Sequence, residues 1–331
     1  MTVADYMALC LGHPEHGYYT TRDPLGAAGD FITAPEISQM FGEMIGLWLA
    51  QVWMDAGRPA SFRLVELGPG RGTCMADTLR AARAAPGFVE AADLWLVETS
   101  PVLRAEQAKR LPGAQWAGRL EEVPEGPCLL VANEFLDALP VRQFIASAQG
   151  WREKRVWLGE DGLIWGLSAP MPGACNAPEG SWREESAVAD TVAEQIAKRI
   201  DAGGGAALII DYGYRAADRP PGFTLQALRA HAHADPLEAP GEADLTWLID
   251  FDRLAQGLAP LATATAPQGA FLARLGIGQR AAQLAARPGQ ADAIAVALER
   301  LTGADQMGTL FKALAAWPAG QPAPPGFEDA A

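Results

Sequence analysis

The sequence predicts an α/β protein built on a doubly wound, largely parallel sheet, and three segments carry that prediction. Phe62-Arg-Leu-Val-Glu-Leu67 is a short apolar strand that runs directly into Gly68-Pro-Gly-Arg-Gly72 and then a helix. Leu94-Trp-Leu-Val97 is a second strand, ending at Glu98 before Ser100-Pro101, a pair suited to opening a helix. Cys128-Leu-Leu-Val-Ala132 is a later apolar run that ends in the polar residues Asn133 and Glu134. Strands that alternate with helices and close on glycine or polar residues give a Rossmann-like arrangement, in which ligands bind beyond the carboxyl ends of the strands.

Taken along the chain, residues 3–11 show helical apolar spacing, and so do residues 35–56, where Ile37, Met40, Phe41, Met44, Ile45 and Trp48 recur three and four apart. Thr33 is expected to cap the second helix, with Pro35 in its first turn and Glu36 three residues after the cap. The helix after the glycine loop covers residues 73–84, and the one after Ser100 carries Leu103, Gln107 and Leu111 at helical intervals. Residues 143–167 differ: the short extended runs Arg155-Val-Trp-Leu158 and Leu163-Ile-Trp165, around Gly159 and Gly162, read as β-hairpins inserted into the main fold. A helix over 186–200 leads to Gly203-Gly-Gly205 and the strand Ala206-Ala-Leu-Ile-Ile210, which ends at Asp211, so the parallel sheet resumes. Helices near 245–258, 278–286 and 291–301 follow, with Thr309-Leu-Phe-Lys-Ala-Leu314 as a closing strand and a Pro-rich tail from Pro318 that is expected to be loose. The predicted organisation is an N-terminal helical segment (1–60), a first part of the core (61–142), an insertion on the substrate side (143–202), the rest of the core with helical additions (203–317) and the tail (318–331).

Charge narrows the function. Lys+Arg 26 against Asp+Glu 40 gives −14, which disfavours nucleic acid or an anionic membrane as partner and suits a cationic one. The four cysteines show no C-x-x-C spacing, so neither a disulfide framework nor a zinc site is expected. His13 and His16, like His231 and His233, lack a third ligand at metal spacing and read as structural. No apolar run reaches about 18 residues, so no membrane insertion is expected. Without a basic and then hydrophobic leader, the chain reads as cytoplasmic if bacterial, or as a mitochondrial matrix protein if trimmed of a targeting peptide.

The chemistry gathers at the strand ends. In Glu66-Leu-Gly68-Pro-Gly70-Arg-Gly72 an acid precedes alternating glycines, which let the backbone approach a ligand closely. A dinucleotide fingerprint needs a further glycine where Thr73 stands, and the missing glycine counts against NAD. The pattern looks instead like motif I of class I S-adenosylmethionine (SAM)-dependent methyltransferases. Glu98, at the end of the second strand, is placed to accept hydrogen bonds from both ribose hydroxyls. Leu120, in the loop after the presumed third strand, would border the adenine. Asn133-Glu134-Phe-Leu-Asp137 then forms the rim between methyl donor and acceptor. Two carboxylates three residues apart are costly unless a cation or a proton separates them, and a guanidinium, with its planar fork of donors, meets that need. Glu134 and Asp137 are therefore the candidate catalytic residues; the bland alternative is that Glu134 caps a helix and Asp137 faces solvent. The N-P-P-Y motif of amino-group methyltransferases acting on adenine or glutamine is absent.

Several segments together resemble one family. They are His13-Pro-Glu-His-Gly-Tyr-Tyr19, Gly29-Asp-Phe-Ile-Thr-Ala-Pro-Glu-Ile-Ser-Gln39, Glu66-Leu-Gly-Pro-Gly-Arg-Gly-Thr73, Val97-Glu-Thr-Ser-Pro101, Asn133-Glu-Phe-Leu-Asp-Ala-Leu-Pro140 and Ile210-Asp-Tyr-Gly213. They are similar to the MidA-like family of SAM-dependent methyltransferases, whose mitochondrial members are assembly factors of respiratory complex I. The resemblance implies SAM as cofactor, held by Gly68, Gly70 and Gly72, and a lid over it formed by residues 29–39, including Thr33; Glu66, Glu98, Leu120 and Asn133 are expected at the same site from their places at the strand ends. It also implies a protein substrate with an accessible arginine, a complex I subunit, dimethylated symmetrically, with the acceptor side at residues 133–140. Ala34 and Cys74 depart from a common serine and leucine, and neither removes a charged or glycine position. A small-molecule acceptor and a noncatalytic, SAM-binding assembly chaperone remain as alternative readings.

Overall fold

The computed structural model describes residues 1–21, 33–173 and 175–327. Its larger sheet is built from β1 (Phe62–Leu67), β2 (Ala92–Val97), β3 (Gln115–Ala117), β4 (Cys128–Asn133), β5 (Gly205–Tyr214), β6 (Ala262–Pro267) and β7 (Phe311–Trp317), in the spatial order β6-β7-β5-β4-β1-β2-β3. A further two-residue strand, Ile249–Asp250, pairs in parallel with β5. The first five strands are parallel; β7 is antiparallel to β5 and to β6. β4 is buried at every position, as expected of a strand covered on both faces. From β1 the order runs outward in both directions, to β2 and β3 on one side and to β4 and β5 on the other. The switch point therefore lies at the carboxyl ends of β1 and β4, where Leu67 pairs with Ala132. The glycine loop and Asn133-Glu134 follow those two strands, so the fold brings them to one crevice.

The helix Gln39–Asp55 packs across Thr73–Ala82 at close range. A Cβ at Gly42 would stand 2.8 Å from the Cys74 carbonyl oxygen, and one at Gly46 only 2.4 Å from that of Thr78, so the contact requires glycine at both. The expected continuous helix over 35–56 is interrupted. Ser38 takes extended backbone and its Oγ accepts the Met40 N–H, leaving residues 34–37 as a separate turn of helix; Thr33 precedes that turn and makes no side-chain cap bond. Ser38, not Thr33, caps the long helix, because an adjacent serine supplies the same acceptor at the point where the chain leaves helical geometry.

Two compact units divide the chain otherwise than the linear reading does. The larger holds the parallel sheet, the helix Gln39–Asp55 and everything from Ile249 onward. Its core includes Phe62, Leu64, Leu129, Leu208, Phe271 and Phe327. The described part of the tail expected to be loose, up to Phe327, is packed: Phe327 is fully buried against Phe271, the Trp48 indole donates to the Pro325 carbonyl at 3.1 Å, and Arg274 donates to that of Gly326 at 2.9 Å. The long helix expected near 245–258 shrinks to Phe251–Gly257, capped by Asp250, because residues 244–246 and 249–250 are drawn into β pairing.

The smaller unit combines the described chain start with Asp137–Thr191 and Ala217–Leu248. Its helix Val3–Gly12 opens with a capping box between Thr2 and Asp5. The hairpins expected over 143–167 are present within a four-stranded antiparallel sheet of Leu163–Leu167, Gly150–Leu158, Arg142–Ser147 and Trp182–Glu185, in that order. A three-stranded sheet adds Ala232–Ala234, Gln226–Arg229 and Asp244–Thr246. Among the described residues, no helix is long and apolar enough to cross a membrane, and no group of three His, Cys, Asp or Glu could hold a metal ion.

Candidate functional site

The glycine loop takes the left-handed backbone that its sequence implies, with φ of +61° at Gly68, +53° at Gly70 and +78° at Gly72. Space is as restrictive as backbone at Gly68, where a Cβ would lie 2.7 Å from the ring of Phe135. Gly72 then stands as N-cap of the helix Thr73–Ala82, whose Thr73 hydroxyl donates to Glu36 Oε1 at 2.6 Å. That bond ties residues 33–37 to the glycine loop. The rest of the expected lid, residues 29–32, lies outside the described residues.

Two unpartnered acceptors mark the crevice. Glu66 Oε2 at the end of β1 and Asn133 Oδ1 at the end of β4 are buried without a hydrogen-bond partner among the described residues. Burial pushes the Glu66 carboxyl up to about 8, against a lowering contribution from the Cys74 thiol. A buried acceptor left unmade is costly unless a ligand completes it. The ammonium of the methionine part of SAM is a donor of the required kind, so these residues and the loop of Gly68, Gly70 and Gly72 fit that cofactor. When bound, SAM supplies an electrophilic methyl group on a sulfonium.

Glu98 follows β2, as expected of the ribose acid. Its Oε1 accepts the N–H groups of Thr99 and Ser100, both at 2.7 Å, while Oε2 faces Gln107 Nε2 at 3.4 Å. Burial raises its pKa; those hydrogen bonds pull it back down. Leu120 follows β3 in a short 3-10 turn, its side chain buried and its carbonyl accepting from Arg199 at 3.0 Å.

At the end of β4 the backbone turns left-handed at Glu134, with φ of +49°, and its Oε1 accepts the Ala34 N–H at 3.0 Å and the Asn133 amide at 3.2 Å. Glu134 thus meets the first N–H of the 34–37 turn, next to Thr33. Asp211, to which the sequence reading gave no role, fixes this loop: Oδ2 accepts the N–H groups of Phe135 at 3.2 Å and Leu136 at 2.9 Å. The signal for it was available, since an acid closing an apolar strand is the feature that picked out Glu98. Gln107 carries no comparable signal: in the sequence it shows only helical spacing with Leu103 and Leu111.

Asp137 belongs to the smaller unit. There it is buried, not solvent-facing, and its carbonyl accepts the Trp247 N–H at 3.2 Å. Nearby, the hydroxyl of the half-buried Tyr19 donates to Asp244 Oδ1 at 2.8 Å; desolvation first, then the charges of Asp244 and Asp137, raises the tyrosine pKa.

Comparison with known proteins places the chain in a family. The family model described as "Putative S-adenosyl-L-methionine-dependent methyltransferase" matches residues 44–266. The mitochondrial protein arginine methyltransferase NDUFAF7 homolog of Drosophila melanogaster is 37% identical over 363 aligned residues, covering 96% of this chain and 81% of that protein. Mitochondrial protein arginine methyltransferase NDUFAF7 of Homo sapiens is 37% identical over 320, covering 85% of this chain and 71% of its own length. Among solved structures, a COG1565 superfamily member from Burkholderia thailandensis, bound to S-adenosyl-homocysteine, superposes with a TM-score of 0.84 at 26% identity, covering 98% of this chain and 90% of that one. SAM is accordingly the methyl donor here. Because the likeness in sequence runs through both units and is not confined to the sheet, this chain is a member of the MidA-like (NDUFAF7) family of class I SAM-dependent methyltransferases.

Proposed function

We propose that the protein transfers methyl groups from SAM to an arginine side chain of a protein, and that the acceptor is a subunit of respiratory complex I or its bacterial equivalent, modified to symmetric dimethylarginine. The observation that carries this reading is the 37% identity, over 96% of the chain, to a relative named as a protein arginine methyltransferase. The net charge of −14 supports a cationic acceptor. Glu134, at the carboxyl end of the strand beside the glycine-loop strand, is the first candidate for orienting the guanidinium, and Asp137 the second. Arginine holds its proton strongly, so a carboxylate that localises the guanidinium charge aids attack by one of its nitrogens. Direct transfer would form the N–CH3 bond as the sulfonium S–CH3 bond breaks, leaving S-adenosyl-homocysteine and releasing the acceptor nitrogen's proton to solvent.

The test is transfer from radiolabelled SAM to complex I subunits, with mass spectrometry of the product. Glu134→Gln keeps the Oε1 acceptor for Ala34 and removes the charge. Its rate should fall about 100-fold or more, with SAM affinity little changed, as expected from loss of a transition-state contact of roughly 3 kcal/mol. Asp137→Asn is measured separately. Methylation confined to lysine, or full activity of the double variant, would overturn the assignment.

A further inference from the structure

Gln107 is fully buried on the helix Pro101–Arg110, and its three side-chain hydrogen bonds among the described residues are to groups on and after the first three strands. Its Nε2 donates to the Gly70 carbonyl at 2.7 Å and faces Glu98 Oε2 at 3.4 Å, while its Oε1 accepts the Trp116 indole N–H at 2.8 Å. Side-chain amides have two orientations, and here the choice is forced. An indole nitrogen can only donate, so the amide oxygen must face Trp116, and the NH2 group must then face Gly70 and Glu98.

We infer that Gln107 is a positioning residue of the cofactor site, holding the glycine loop and Glu98 in one register, and that Trp116 sets the sense of its amide. Glu98 Oε1 is already engaged by the N–H groups of Thr99 and Ser100, so Oε2 is the oxygen available to ribose hydroxyls. Among the described residues, Gln107 Nε2 is the side-chain donor that faces that oxygen, and it sets the oxygen's orientation. The same NH2 group holds the carbonyl of Gly70, the central glycine of the loop. A donor at residue 107 thus couples the recognition of ribose, after β2, to the shape of the loop after β1. It also favours the ionised form of Glu98, which accepts both hydroxyls better than the acid does.

Calorimetric titration of the full chain with S-adenosyl-homocysteine, at pH 6 and pH 8, tests this. Gln107→Glu replaces the donor by a carboxylate that faces another carboxylate and a carbonyl oxygen. At pH 8 affinity should fall about 10- to 100-fold, the size expected for losing a hydrogen bond to a charged group. At pH 6 the carboxylate pair shares a proton, the donor is restored, and much of the loss should disappear. Trp116→Phe keeps the ring and removes only the N–H, and should weaken binding about 3-fold at both pH values. A Gln107→Glu variant that binds like the parent, or whose loss is the same at pH 6 and pH 8, overturns the positioning role. Should that variant fail to fold, Trp116→Phe decides alone, and unchanged affinity there overturns the inference.

Discussion

Asp211, inside β5 three residues before its last residue Tyr214, accepts the backbone N–H of Leu136 at 2.9 Å, joining that parallel strand to the loop that leaves its neighbour β4. The same Oδ2 accepts the N–H of Phe135, whose ring lies where a side chain on Gly68 would have to go. One buried carboxylate therefore fixes the loop that presents Glu134 and closes the space over the first glycine. The tight turn at Glu134 leaves those N–H groups without partners in any regular ladder, so an acceptor must come from outside the loop.

Asp211→Ala removes the acceptor for two buried or half-buried N–H groups, and for that of Tyr212, which meets Oδ1 at 2.9 Å. A loss of about 2–5 kcal/mol in unfolding free energy is expected, with kcat reduced more than SAM affinity. Asp211→Asn keeps one acceptor oxygen and should recover part of both. Chemical denaturation beside steady-state kinetics checks this, and equal behaviour of the alanine and asparagine variants would contradict it.

Gly70→Val should bind neither SAM nor S-adenosyl-homocysteine in calorimetry. It forces a β-branched residue to φ near +53° and puts a side chain on a loop that must approach the cofactor. Glu98→Ala should weaken binding by about 1–3 kcal/mol through lost hydrogen bonds to ribose. Parent-like binding by both variants would move the cofactor site elsewhere.

Glu66 makes stability depend on pH in a direction opposite to that of an ion-paired acid. Burial holds its folded carboxyl at about 8, so between roughly pH 4.5 and 8 the unfolded chain loses a proton that the folded chain keeps. Its contribution is fully present below the unfolded value and is lost as pH rises to the folded one, at up to about 1.4 kcal/mol per pH unit. Glu66→Gln removes the titration. In thermal melts without ligand, the variant should gain on the parent steadily from pH 5 to pH 8, whereas a constant difference would show that Glu66 does not titrate in this range.

Phe327→Ala should destabilise the larger unit by about 3–5 kcal/mol, because the ring is fully buried against Phe271 and its loss opens a cavity. Thermal unfolding measures it. A change below about 1 kcal/mol would mean that the tail contributes little despite its burial.

The sequence by itself determined the parallel core and the strand ends at which the candidate cofactor residues stand, because both rest on local patterns. Apolar strands closing on Gly68-Pro-Gly-Arg-Gly72, on Glu98 and on Asn133 declare at once a strand, its end and the chemistry placed there. Left-handed backbone at three alternating glycines is likewise a local property, and the loop shows it. What only the tertiary structure decided depends on partners distant in the chain. Gln107 looked like an ordinary helix position until Gly70, Glu98 and Trp116 were brought around it. Asp211 acquired its role from backbone groups 75 and 76 residues away, and Pro-rich composition could not disclose that Phe327 finds a pocket beside Phe271. Glu134 reached the N–H of Ala34, 100 residues earlier, and Asp137 was drawn into the smaller unit with Tyr19 and Asp244. Hydrogen-bond donors, acceptors and buried surface are satisfied by whatever the fold brings near. Residue type can announce such a demand, but only the folded chain settles which group meets it.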